Sequence, residues 1–262
     1  MVQLARVSAA AKKERTYQDD TYSSTNRLVR YAHGTRIKTA IEMITAERAR
    51  TVLDYGAGDG EMLLRLLSDP RAAEISRVIA FDPEEGFRAE MERRISTDPR
   101  VTIAATREEA AAQLHGRELD AISCLGVLEH LPLIERECFY RFCDQYLSTG
   151  GRCIIDVPVE IGGSLLIKTL GRRFAKGRSR EYRLPELARS VLGMRTRDLQ
   201  RMDPSADVEF IFTHKGFDHR VFRDELTRWQ TVQETRMTPV RWLPSWLCNQ
   251  EVFFLTRKRG KR

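Results

Sequence analysis

Three glycines at alternate positions, Gly56, Gly58 and Gly60, follow the apolar pair Val52–Leu53 and the acid Asp54, and the next residue is Glu61. A chain this bare between a strand and a helix lets a ligand approach the backbone itself. A dinucleotide wants G-x-G-x-x-G there, with the third glycine packing the helix on the sheet and the helix amino terminus facing a pyrophosphate. Here the third position is Glu61, whose carboxylate in the first helical turn would repel that phosphate. A P-loop is excluded too, since no Gly-Lys-Ser/Thr follows. The loop therefore calls for a ligand that brings a cation or an amine. A further acid, Asp82, closes the apolar run Val78–Phe81 ahead of Pro83. Its carboxylate can accept from both hydroxyls of a diol; an Asx-turn before Pro83 is the other reading.

Proton chemistry has two candidate sources. An unperturbed imidazole titrates near about 6.5, so a histidine can take a proton at neutral pH. Glu129-His130 is one candidate pair, and the stretch containing His214, Asp218 and His219 is the other, with Asp218 as base-orienting acid. Structural alternatives stand beside both. His130 reads equally as a helix-start residue bonded locally. HKGFDHR reads as a helix entry, with Asp218 capping a helix from Val221 and Phe217 packing inward.

Regular elements must place these residues, and the hydrophobic pattern supplies them. Thr51–Tyr55 predicts a strand and Glu61–Leu67 a helix, ended at Asp69-Pro70 because proline disfavours helical geometry in the residue before it. Arg77–Phe81 predicts a second strand, with a charged helix after it through Ile95. Val101–Ala104 is a short strand, Arg107–Leu114 a helix and Leu119–Leu125 another strand, with Gly126 at its end. Glu135–Leu147 predicts a helix, Gly150-Gly151 a turn, and Arg152–Val157 a strand stopped by Pro158. Such alternation specifies an α/β, doubly wound, mostly parallel sheet. Ligands of such sheets bind outside the strands' carboxyl ends, where Asp54, Asp82, Gly126 and Pro158 fall. Upstream, Leu28–Ile44 has the spacing of an amphipathic helix. Downstream, Glu160–Phe212 is basic and helical in character, opened by Gly162-Gly163 and broken at Asp203-Pro204; it predicts an insertion covering the strand ends. Val221–Trp229 is a helix, and residues 230–256, which include Trp242, Pro244 and Trp246, return as an antiparallel strand pair ending in EVFFL.

Asp54, Gly56, Gly58 and Gly60 resemble motif I of the class I methyltransferases, E/D-x-G-x-G-x-G. VIAFDPEEG looks like motif II, LDAISCLGVLEHLP like motif IV of the small-molecule branch, and LSTGGRCIIDVP like the fifth-strand region. The resemblance spans roughly residues 50–158. It implies a Rossmann-like, seven-stranded fold and S-adenosylmethionine as cofactor, whose sulfonium and amino groups meet the demand for positive charge. It implies that Asp82 takes the ribose hydroxyls and that Ala57, Pro83, Leu125 and Gly126 line the cofactor with the glycines. Thr106, in a segment without the family's frequent acid or Asn, stands near adenine. In this fold a segment before the first strand often closes over the cofactor; Tyr22, Arg30 and His33 are candidate contacts to its carboxylate, against a reading in which Arg27, Arg30 and Arg36 are simply exposed. Some RNA 2′-O-methyltransferases and quinone-precursor O-methyltransferases carry an E-x-x-E-H metal site at this point. Glu129 and His130 match its second half, but Gly126 replaces the first glutamate, so no metal is expected. H-x-G-F-D and PxxWLPSWLCNQEVFF are similar to bacterial methyltransferases encoded with cell-surface polysaccharide genes, which implies a sugar hydroxyl, lipid- or nucleotide-linked, as acceptor.

The expected division is therefore an arm and helix over 1–45, a cofactor core over 46–159, a basic helical lid and acceptor region over 160–229, and C-terminal strands with a basic tail over 230–262. Net charge is +7, yet Lys168–Arg183 alone holds seven basic residues and one acid, and Arg257–Arg262 five basic residues, so the remaining body is net acidic. A nucleic-acid binder spreads basic charge over a docking face. The confined charge instead suits a small, glycan or lipid-linked anionic acceptor, or peripheral membrane contact through residues 164–183. There Leu165, Leu166, Ile167, Leu170 and Phe174 have helical spacing; a lid packed on the core is the other reading. RNA 2′-O-methylation and non-catalytic cofactor binding are the alternative functions. No apolar run approaches the roughly 20 residues of a membrane span, and the amino-terminal stretch lacks a secretory signal's apolar core. A cytoplasmic protein, at most peripheral to the membrane's inner face, is expected.

Overall fold

The structure, a computed structural model, describes residues 27–176, 182–194, 211, 214–241, 247 and 249–259. Tyr22 and the arm before residue 27, Asp203-Pro204, Trp242, Pro244, Trp246 and the last three residues of the tail lie outside them. Helix α1 (Arg27–Thr45) precedes strand β1 (Thr51–Tyr55), α2 (Glu61–Leu67), β2 (Arg77–Phe81), α3 (Glu85–Ile95), β3 (Val101–Ala104) and α4 (Arg107–Ala112). Then come β4 (Leu119–Leu125), a 3-10 turn at Leu128–His130 (another, Pro70–Ala72, precedes β2), α5 (Leu133–Tyr146) and β5 (Leu147–Pro158). Two helices of the insertion follow, α6 (Gly162–Lys176) and α7 (Leu184–Val191), and then α8 (His219–Trp229), β6 (Gln230–Thr238) and β7 (Glu251–Lys258).

One seven-stranded sheet runs in the order β3-β2-β1-β4-β5-β7-β6. Strands β1 to β5 are mutually parallel, while β7 runs antiparallel to both β5 and β6. Successive strand residues point to opposite faces, so a sheet covered on both sides must be apolar throughout. Val52, Val78, Ala121 and Ile154 accordingly bury on one face with α1, α2 and α3, and Leu53, Ile79, Ile122 and Ile155 on the other with α5 and α8. Helix α1 holds its place through Ile37, Ala40, Ile41 and Ile44, the one-sided spacing of an amphipathic helix. Each such isoleucine stabilises by roughly 1.5–3 kcal/mol. The order reverses between β1 and β4, the point outside the strands' carboxyl ends where sheets of this kind take their ligands.

Gly150-Gly151 is not a turn. Both lie within β5, where pairing slips from Leu119–Leu147 to Ala121–Arg152, and the irregularity takes up the residues that read as punctuation in the sequence. Helix α8 begins at His219 rather than Val221, because the Asp218 side chain accepts from the Arg220 amide and caps it. Among the described residues no helix is long and apolar enough to cross a membrane.

Candidate active site

The glycine loop is tied down by the strand beside it. The amides of Gly56 and Ala57 both donate to the Phe81 carbonyl, at 2.8 and 2.9 Å. Gly58 donates to Asp82 Oδ2 at 2.8 Å, and the other oxygen of Asp82 accepts from the Glu84 amide at 2.9 Å. Asp82 is thus the Asx-turn acid and the clasp of the loop at once, with lone pairs left for a ligand. Burial pushes its carboxyl up, against the pull of those amides. Gly58 adopts φ +57°, and a Cβ built there would meet nothing within 4 Å, so the loop is open on the side where a ligand would lie.

Behind the loop, Asp54 is buried at the end of β1 and accepts from Ser123 Oγ at 2.7 Å. Burial pushes its carboxyl up to about 7, with Ser123 opposing and Asp82 adding. A buried acid of this kind is ready to receive a cation.

Glu61 does not face the loop's ligand side. Its carboxylate is taken by Arg65 at 2.7 Å and by Arg94 from α3. The repulsion expected of it is thereby neutralised, and the negative character at the strand ends comes from Asp54 and Asp82 instead. Thr106 also has a local duty: its hydroxyl caps α4 by accepting from the Glu109 amide, while the Ala105 amide donates to Glu109. The Thr106 hydroxyl hydrogen and second lone pair remain beside that cap. Pro83 follows Asp82 at the mouth of β2, and Leu125 and Gly126 end β4 beside Asp156.

Helix α1 enters the site through a residue that sequence reasoning set aside as surface. Arg36 is 12% exposed and grips Asp156 of β5 with Nε and an Nη, at 2.5 and 2.9 Å. Gly126, at φ +67°, is what admits it: a Cβ there would lie 2.4 Å from Arg36 Nη2. His33, one turn earlier, is held down at about 4 by burial first and Arg36 second, so it is a neutral imidazole at physiological pH. Arg30 sits exposed on the same helix.

Beyond the end of β4 a second cluster is built from distant side chains. His130 Nδ1 lies 2.7 Å from the Ile211 carbonyl, while the Ile211 amide donates to the His130 carbonyl at 2.7 Å. A carbonyl only accepts, so Nδ1 of His130 carries the proton and its Nε2 is the lone-pair nitrogen of the neutral ring. That Nε2 faces Nε2 of His214 across 3.1 Å, 84 residues along the chain. His214 Nδ1 in turn faces Glu160 Oε1 at 3.6 Å, and Lys168 Nζ holds the same oxygen at 2.9 Å. Burial of Glu160 would raise its carboxyl, but Lys168 and His214 outweigh this and hold it down at about 2. Because His130 Nε2 is the lone-pair nitrogen, the 3.1 Å contact is a hydrogen bond in which His214 Nε2 donates to it, and the anionic Glu160 favours positive charge on the His214 ring. Glu129 Oε1 is 3.9 Å from His130 Nε2, and burial pushes this carboxyl well above its usual range, with Asp156 adding.

Glu129, His130 and His214 bring their ligand atoms within 4.8 Å of one another. Two imidazoles and a carboxylate are a donor set suited to divalent iron, manganese or zinc. The donor that Gly126 withholds is thus matched by a histidine from a remote segment, which removes the reason for expecting no metal.

Asp218 and His219 stand apart from this chemistry. Asp218 is spent on capping α8 and on a two-pronged pair with Arg220, at 3.0 and 2.8 Å, which holds its carboxyl down against burial. It lines a cavity of about 180 Å³ with Arg136, Phe217, Phe222 and Glu225. His219 is buried, and burial lowers it to about 4. The base-and-orienter reading of this pair is therefore replaced by the helix-entry reading. Arg36 and Glu160 were missed because Asp156 and His214, which define them, lie far along the chain, and Lys168, eight residues from Glu160, read only as part of the basic run; the acid two residues beyond Pro158, at a strand end, was the one signal for Glu160.

A family model described as a methyltransferase domain matches residues 29–219. The ubiquinone biosynthesis O-methyltransferase of Citrobacter koseri is 28% identical over 130 residues, covering 48% of this chain and 49% of that protein, so the match spans about half the length of this curated relative. The methyltransferase domain of bacterial CtHen1 superposes with a TM-score of 0.56 at 12% identity, covering 86% of this chain and 99% of that one. The N-methyltransferase NodS of Bradyrhizobium japonicum, in complex with S-adenosyl-L-homocysteine, gives 0.54 at 11% identity over 95% of this chain and 94% of its own. At such identities the structural likeness speaks for the fold.

Proposed function

The chain belongs to the methyltransferase-domain family, and from that premise we propose that it moves a methyl group from S-adenosylmethionine to a hydroxyl oxygen of a glycan or other small, lipid-linked acceptor. The observation that carries the oxygen reading is the His130–His214 pair, with two ring nitrogens facing each other at 3.1 Å beyond the strand ends. The oxygen acceptor of the curated relative points the same way.

S-adenosylmethionine supplies an electrophilic methyl on a sulfonium sulfur, which becomes a neutral thioether as the acceptor oxygen forms its new bond to carbon. Asp82 takes the ribose hydroxyls with the lone pairs that Gly58 and Glu84 leave free. Asp54 supplies negative charge behind the loop, and Gly56, Ala57, Gly58 and Gly60 let the methionyl part lie on the backbone. Arg36, held at the strand ends by Asp156, supplies the positive charge that faces the cofactor carboxylate. The acceptor's hydroxyl proton is taken up by the His130–His214 pair, in which the Ile211 carbonyl holds the Nδ1 proton of His130 and the Glu160 carboxylate faces the His214 ring. General base help of this kind contributes on the order of 10²–10⁴ in rate.

A second reading has its own observation, the 4.8 Å cluster of Glu129, His130 and His214. A divalent ion held by those three residues would act as a Lewis acid on the acceptor oxygen. Dialysis against a chelator followed by readdition of manganese separates the readings: the base reading predicts unchanged turnover. For the acceptor, labelled S-adenosylmethionine is incubated with fractionated extract. Label in glycan or lipid supports the proposal; label confined to RNA overturns it; binding without any transfer points to a non-catalytic protein.

A further inference from the structure

The described residues expose eleven large apolar side chains, and six of them stand on α6, α7 and the residues just past α7: Leu166, Ile167, Leu170, Leu184, Leu192 and Met194. Ile167 is 54% exposed and Leu184 83%. Scattered apolar residues need no explanation, but a contiguous group marks an interaction surface. The position of this group is fixed. Lys168 ties α6 to the carbonyls of Val159 and Gln250 at the carboxyl end of β5, and Lys215, beside His214, pairs with Glu186 of α7 at 2.7 Å. Leu133 and Ile134, also exposed, open α5 just after His130. The apolar group therefore rims the mouth of the site.

We propose that this rim is a docking face for an anionic lipid bilayer, laid against the membrane so that an acceptor carried in the lipid meets the His130–His214 pair. Charge decides for a bilayer. The segment joining α6 to α7 belongs to Lys168–Arg183, with seven basic residues and one acid, whereas the chain outside this segment and its tail is net acidic. Basic residues interleaved in sequence with protruding aliphatic ones are the pattern of interfacial helices, where apolar side chains enter the acyl boundary and lysine and arginine meet headgroup phosphates. An RNA strand would use the charge but leave the leucines wet; it stacks on aromatic rings, not on aliphatic ones. The proposal rests on the methyltransferase reading only for what the face delivers.

Sedimentation of the full chain with vesicles tests it, using phosphatidylcholine alone and phosphatidylcholine mixed with phosphatidylglycerol. The protein is expected to pellet with the anionic vesicles, to be released by high salt, and to lose about tenfold or more in affinity as Ile167→Asp with Leu170→Asp. Leu64→Asp, on α2, serves as an exposed control that keeps binding. S-adenosylhomocysteine affinity, measured by calorimetry on the same variants, should not move, which shows that the fold is intact. If S-adenosylhomocysteine fails to bind the native chain, the functional reading falls while the vesicle result stands alone. Absence from the anionic pellet overturns the docking face. So does a dimer in light scattering that the same aspartates dissolve, since a second copy would then cover the rim.

Discussion

The two halves of this site are made in different ways. The cofactor half, from Asp54 to Asp82, is written in one short stretch and held by backbone: the Phe81 carbonyl takes two loop amides and Asp82 takes a third. The acceptor half depends on side chains that meet only after folding, as His130, Glu160, Lys168 and His214 do. A backbone-built pocket can be read from residue types at fixed spacing. A side-chain-built pocket is free to change its residues, and with them the acceptor.

That contrast can be broken or sharpened by experiment. Its largest expected effect is on turnover: His130→Ala or His214→Ala should lower methyl transfer by about 10²–10⁴ while S-adenosylhomocysteine affinity stays put, read by label incorporation and calorimetry. If either variant loses the cofactor as well, the halves are not separate. Asp82→Ala should do the reverse, weakening cofactor binding by roughly tenfold to a hundredfold through lost hydrogen bonds to a charged acceptor. A smaller effect comes with pH. Asp54 sits at about 7 in the fold, so below that pH it is protonated and must release its proton before a cation binds. Affinity for S-adenosylmethionine should therefore weaken on acidification, by up to about tenfold per unit for one linked proton. The same shift makes the native state bind the extra proton between the unfolded carboxylate range and about 7, so Asp54 costs stability as pH rises through that window. Asp54→Asn should flatten both trends in calorimetric titrations and melting curves. Last, Asp218→Ala should cost about 1 kcal/mol of stability as a lost helix cap in denaturant unfolding, with methyl transfer retained. A collapse of transfer there would return Asp218 to the chemistry.

What was legible follows the same division. The strands, their order of appearance and the acids at their ends could be read because buried parallel strands are nearly all apolar and glycine loops are local. Glu61 was placed correctly, but its partner Arg94 lies on another helix, so its charge looked free when it is not. Arg36 was read as exposed because its neighbours on α1 are polar; what buries it is Gly126, a residue whose missing side chain is silent in the sequence. His130 and His214 were each singled out, yet their meeting depends on Ile211 and Glu160, and no spacing rule joins residues across an insertion.

Glu160 has one further consequence. The insertion leaves the core beside this residue and returns to it at His214, so a single carboxylate closes the loop at its root. Lengthening a chain between closed ends costs only about 0.6 kcal/mol per doubling. The stretch between α7 and Ile211 can therefore change in length at little cost, while Ile211 and His214 keep their places against His130.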